Sequence, residues 1–143
     1  MGFNCNMSEL DKITYEVHKK IFSRNTEDIE LPVISSHIYM LTYIRNHGQC
    51  MVTDIANYLG VTLGAVTSLV DRLHDFGLVN RERSETDRRL VMIGLSDKGQ
   101  ELLSKLDEKR KEVISSFLRG IEEEEIEQLA KTMEKIFTNI LNT

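Results

Sequence analysis

The sequence predicts a mainly α chain with a small β-hairpin, and three observations carry that expectation. Apolar residues recur at intervals of three and four along most of the chain. That period gives way once, between Leu78 and Leu95, to two short strand-like runs around a polar tip. With 143 residues, 41% of them hydrophobic, the chain can build one compact unit plus helical extensions that need a partner.

The elements follow in order. Residues 8–24 place Leu10, Ile13, Val17 and Ile21 on one helix face, with Ser8 as its cap. Residues 25–32 read as a connection whose Pro32 opens the next helix, which runs from Val33 to Asn46 on Ile34, Ile38, Leu41 and Ile44. Gly48 stops it. A short helix over 53–59 starts at Thr53, as a cap over Asp54, and turns at Gly60-Val61. Thr62 caps a longer one through Phe76, with Leu63, Val66, Leu69, Val70 and Leu73 turned inward and Gly77 as its stop. Residues 78–83 and 90–95 are the two strands, and the segment SETDRR joins them. Ser96 caps the helix that follows, and Asp97 in its first turn suits the free amide groups there. That helix carries Leu102, Leu103, Leu106, Val113, Ile114 and Phe117 to a break near Gly120. The last begins in the acidic run Glu122–Glu125 and sets Ile126, Leu129, Met133, Ile136 and Ile140 at spacings of 3, 4, 3 and 4.

Residues 52–71 (VTDIANYLGVTLGAVTSLVD) fit a helix-turn-helix. Ala56 is the small residue where two helices cross, and Gly60 supplies the turn four residues later. Ile55, Leu59, Val61, Val66 and Leu69 are the expected core between them. The second helix, 62–76, is then the recognition helix, which enters the DNA major groove by its N-terminal half. Its outer face holds Thr62, Leu63, Gly64, Thr67, Ser68 and Asp71, with Ala65 near the rim, so Leu63 is counted on both faces. Thr62, Gly64, Ala65, Thr67, Ser68 and Arg72 are the candidate major-groove and phosphate contacts, through hydroxyls, close approach and one guanidinium.

The hairpin over 79–95 makes the motif a winged one. Its tip carries Arg88 and Arg89, which suit a narrow, electronegative minor groove. Arg81 and Arg83 share one strand face and reach for flanking phosphates, while Asp87 makes sense if it pairs within the turn and positions an arginine. The net charge of -5 argues weakly against a polyanion partner, yet residues 62–98 hold six basic and six acidic residues, and four arginines fall within nine positions. Phosphate contacts are short-ranged in salt, so the local patch decides.

The stretch AVTSLVDRLHDFGLVNRERSETDRRLVMIGLSDKG (Ala65–Gly99) resembles the signature region of the MarR family of bacterial transcription regulators. The likeness lies in V-D-R-L and G-L-V after the recognition helix, D-R-R in the wing, and L-S-x-K-G opening the next helix. It implies a single MarR-type domain over 1–143, with dimerisation helices at 8–31 and 97–142 around a winged helix-turn-helix lobe at 33–95. It implies a homodimer on pseudo-palindromic, double-stranded promoter DNA, commonly a repressor released by a small ligand or by cysteine oxidation. Asp87 and Arg89 match the family's wing aspartate–arginine pair; Arg88 is the next candidate for the groove, and these two arginine roles are interchangeable at this stage. The apolar stripe of the last helix supports the dimer independently, because a lone terminal helix gains nothing from it.

The resemblance also implies an effector crevice between the dimerisation region and the DNA-binding lobe, which would draw on His37, Tyr39, Met40 and Tyr43; equally, Met40 and Tyr43 are ordinary core. Cys5 precedes the first helix and Cys50 lies between the second and third; both read as incidental thiols rather than redox sensors. His18, His37, His47 and His74 are scattered, so no metal and no cofactor is expected. No phosphate loop or nucleophile elbow marks an enzyme. No apolar run is long enough for a membrane span, and the N-terminus lacks a secretion signal, so a cytoplasmic protein is expected. The rival reading is a winged-helix interaction module that dimerises without specific DNA binding.

Overall fold

A computed structural model describes residues 7–143. Six helices and two strands follow one another: α1 (Met7–Thr26), α2 (Ser35–His47), α3 (Val52–Leu59), α4 (Leu63–Asp75), β1 (Val79–Arg83), β2 (Val91–Leu95), α5 (Asp97–Phe117) and α6 (Glu123–Leu141). The strands pair antiparallel, Val79 opposite Leu95 and Arg83 opposite Val91. One core joins α2, α3, α4, the hairpin and the first half of α5 through Met40, Leu41, Ile44, Ile55, Val66, Leu73, Leu78, Ile93 and Leu103.

The start signals divide by which side chain does the capping. Thr62 and Ser96 cap as expected: the Thr62 hydroxyl accepts from the Ala65 N–H (3.2 Å) and Ser96 from the Gly99 N–H (3.0 Å). Three other helices are capped from inside. The His37 Nδ1 takes the Ile34 N–H (3.1 Å), Asp54 takes that of Met51 (2.9 Å), and Glu125 that of Glu122 (3.2 Å). Each polar side chain reaches back three residues; α6 starts in the acidic run as expected, whereas α2 and α3 begin elsewhere than the sequence suggested. Thr53 lies inside α3 rather than capping it, and Pro32 precedes α2 by three residues rather than opening it. Ser8 is inside α1, which starts at Met7.

Gly60 ends α3 at φ 67°, ψ 32°, a left-handed conformation glycine adopts without steric cost, and the chain turns there into α4. Ile55, Ala56 and Val66 are buried where the two helices meet, and Leu59 and Leu69 pack against them. Val61 and Leu63 do not join this core; both are exposed, Leu63 at 52%.

Sequence periodicity gives no sign of a third strand position. Cys50 makes an isolated bridge to Ile93, its N–H donating to the Ile93 carbonyl (3.0 Å) and its carbonyl accepting in return (2.8 Å). The hairpin is thereby tied to the chain entering α3. The Gln49 amide adds a bond to Glu82 (3.0 Å). A single paired residue has no alternation to read, and so this tie was not expected.

Outside the core, α1 and α6 contain no buried residue. Their apolar stripes are open: Leu10, Ile13 and Val17 on α1, and Leu129, Met133, Ile136, Phe137 and Ile140 on α6. Among the described residues, no helix is long and apolar enough to cross a membrane.

Candidate nucleic-acid interface

The α4 helix buries Val66, Val70 and Leu73 and turns its remaining surface outward. Thr62, Leu63, Gly64, Ala65, Thr67, Ser68, Asp71 and Arg72 are all exposed. All six expected helix contacts therefore lie on solvent-facing surface. The Thr62 oxygen is engaged by the Ala65 amide, and the Thr67 hydroxyl donates to the Leu63 carbonyl (2.9 Å). Thr67 therefore offers a ligand its methyl group and an acceptor oxygen, with its proton already used. A methyl group at Gly64 would meet no atom within 4 Å, so the backbone is bare there.

The wing tip is held by its own polar groups. Ser84 and Thr86 share a hydroxyl bond (3.0 Å), and the Asp87 carboxylate accepts the Arg89 backbone N–H (3.0 Å). Asp87 thus shapes the turn through the main chain of Arg89 rather than through its guanidinium. The Arg83 guanidinium donates to the Arg88 carbonyl (3.0 Å), bracing the loop from the strand below. Arg88 and Arg89 are exposed at the end of this braced loop.

Arg81 is placed differently from its expected role. Its guanidinium pairs with the Asp71 carboxylate on α4, joining β1 to the recognition helix. Ten residues separate the two, and no local pattern announces the pair. Sequence reasoning assigned Arg81 to phosphate and gave Asp71 no partner. The pair offsets the Asp71 charge on the outer face of α4.

The base of the hairpin explains the L-S-x-K-G run. The Ser96 hydroxyl donates to the Gly77 carbonyl (2.6 Å), and the Lys98 ammonium to the Phe76 carbonyl (2.8 Å). Both bonds end on carbonyls just past the end of α4, where a cation and donors suit the helix C-terminus. A Cβ on Gly99 would overlap the Leu78 carbonyl oxygen and stand 2.8 Å from Leu95 Cδ1, so only glycine lets α5 lie this close to the strand.

The four candidate effector residues do not converge. His37 and Met40 are sealed in the core, and His37 packs edge-on to Phe76 at 6.3 Å. Tyr43 stacks on His47 (4.1 Å) and tilts onto Tyr58 (4.5 Å). Tyr39 lines a cavity of about 220 Å³ between α1, α2 and α5, beside His18, Asn25, Arg45 and Arg110. Burial and the nearby Asp54 carboxylate push the Cys50 thiol up to about 11, which disfavours its thiolate. Cys5 lies outside the described residues. Among the described residues, no three His, Cys, Asp or Glu side chains come together to hold a metal ion.

A capped helix-turn-helix, an outward recognition face and an arginine-tipped hairpin define a winged helix-turn-helix DNA-binding protein. The family model for MarR matches residues 35–91, the span from α2 to the start of β2. The chain is 25% identical to a MarR family protein from Bacillus stearothermophilus, with a TM-score of 0.78 over 94% of each chain. It is 27% identical to the YusO protein of Bacillus subtilis, with a TM-score of 0.74, over 96% of this chain and 99% of that one. Among curated proteins, the HTH-type transcriptional repressor MdtR of Bacillus subtilis (strain 168) is 28% identical over 131 residues, 91% of this chain and 84% of the relative. Over most of its length the chain is thus similar to MarR-family DNA-binding transcription regulators.

Proposed function

We propose that the chain acts in the cytoplasm as a homodimer that binds pseudo-palindromic promoter sites and represses by occupying DNA that polymerase needs. The observation that carries the dimer is the uncovered surface. The chain exposes 11017 Å², whereas a compact 16.5 kDa monomer exposes only about 7,600 Å². The excess is on the scale of an obligate interface, and α1 and α6 carry the open apolar stripes that would fill it. Residues 33–95 then form the DNA-binding lobe, with the helices before and after it as dimerisation arms. Thr62, Gly64, Ala65, Thr67, Ser68 and Arg72 meet the major groove and its phosphates, and Arg88 and Arg89 the minor groove. The cavity beside Tyr39 is the place for a small releasing ligand, since it lies where the arms meet the lobe.

The test is selection of binding sites from a random duplex pool, then titration of the enriched site and of scrambled DNA at several salt concentrations. The expected result is a palindrome with half-sites about 34–36 Å apart, bound at least ~10³-fold tighter than scrambled DNA. If ligand-stripped protein enriches no sequence, the chain is a protein-interaction module and the DNA reading fails.

A further inference from the structure

We propose that the half-site is rich in A·T pairs at its centre and that Leu63 determines this by seating against a thymine methyl group in the major groove. The inference rests on the DNA reading above and names the kind of site it takes. Guanine is read by an arginine or lysine fork, adenine by asparagine or glutamine. The segment Leu63–Val70, the first two turns of α4, holds none of these. Arg72 is the basic residue on the helix, but it lies nine residues beyond Leu63, about 13 Å further along the axis. Base edges are met by the N-terminal residues, so Arg72 is left for phosphate.

The polar groups near the helix start are partly spent, Thr62 on the Ala65 amide and the Thr67 proton on the Leu63 carbonyl. What remains on that surface is largely apolar. Leu63 is half exposed at the first position of α4, one turn from Thr67 on the same face, and it joins no core contact that would hold it there. Beside it Gly64 leaves the backbone bare. The thymine C5-methyl is the apolar group on the major-groove edge of DNA, and it is the partner such a leucine can bury. The wing points the same way, because exposed arginines favour the narrow minor groove of A-tracts.

The experiment replaces each thymine of the selected half-site by deoxyuridine, which keeps the base pair and removes only the methyl. The full-length protein should prefer A·T pairs at the half-site centre. At one or two thymines per half-site it should bind about fourfold more weakly, the equivalent of about 0.8 kcal/mol for one buried methyl. Leu63→Ala should abolish that penalty, and Leu63→Met should keep it. Equal melting temperatures for the two variants would show that the fold is retained, as the exposure of Leu63 leads one to expect. A centre of G·C pairs, a silent uridine series, or an undiminished penalty in Leu63→Ala overturns the inference while the regulator reading stands. Failure to select any site overturns both.

Discussion

Gly64 lies in the first turn of α4, where a methyl in place of its hydrogen would meet no atom within 4 Å. Gly64→Ala should therefore stabilise the free protein by about 0.5–1 kcal/mol, the ordinary cost of glycine in a helix. It should also weaken DNA binding several-fold, because the new methyl occupies surface left for the duplex; unchanged affinity in titration would place the DNA elsewhere. Gly99 is the opposite case. Its Cβ would overlap the Leu78 carbonyl oxygen, which is backbone and cannot swing away. Gly99→Ala should lower stability by about 3 kcal/mol in urea denaturation, at the upper end of overpacking costs. Residues such as Ile55, Val66 and Leu73 were legible as core because burial follows the helical period. Val61 and Leu63 were not, since an apolar side chain left at the surface has the same hydropathy as one packed inside.

The recognition helix and the wing are coupled as elements by the Asp71–Arg81 pair. Both side chains are partly exposed, so the pair adds little stability, within about 1 kcal/mol. Its effect should be on geometry. Arg81→Ala should weaken specific binding and leave the salt dependence unchanged; a slope reduced by about 0.9 would show that Arg81 neutralises a phosphate after all. The start of α2 has a different sensitivity. Burial, aided by the positive charge of Arg72, holds the His37 pKa below its ordinary value, and its neutral Nδ1 accepts the Ile34 N–H. As pH falls through about 6.5, the unfolded chain takes up a proton that the folded chain resists. Stability is thus complete above that pH and is lost below it until the folded-state pKa is reached. The urea midpoint should drop more between pH 7.5 and 5.5 in the wild type than in His37→Gln, which accepts a hydrogen bond without titrating. Equal drops would assign the acid sensitivity to other groups. Caps made by the residue before the helix, Thr62 and Ser96, were legible in the sequence. Those made by His37 and Asp54 from inside were not, because a side chain reaching back looks like any other first-turn residue.

For the whole molecule, the stripes on α1 and α6 were plain in the sequence, and both lie open along their helices. Met133 and Ile136 are both exposed on α6. Replacing both by glutamate should convert a dimer to a monomer in sedimentation velocity and abolish binding to a palindromic site. A variant that still sediments as a dimer would move the seam elsewhere. The ion pair of Arg45 with Asp107 (2.6 Å), and those of Lys109 with Glu27 (3.0 Å) and Asp28 (2.9 Å), join α5 to α2 and to the end of α1. None of these pairs has a local sequence signal, because each joins residues brought together only by the fold.

The bonds from Ser96 and Lys98 to the end of α4 make the 21-residue α5 a stiff lever with the recognition helix fixed to its near end. At 1.5 Å per residue its arm is about 32 Å. A tilt of about 6° at the far end therefore carries α4 through about 3.3 Å, close to the 3.4 Å rise between successive bases. The length of α5 thus amplifies a small angular change into a displacement of α4 on the scale of one base step.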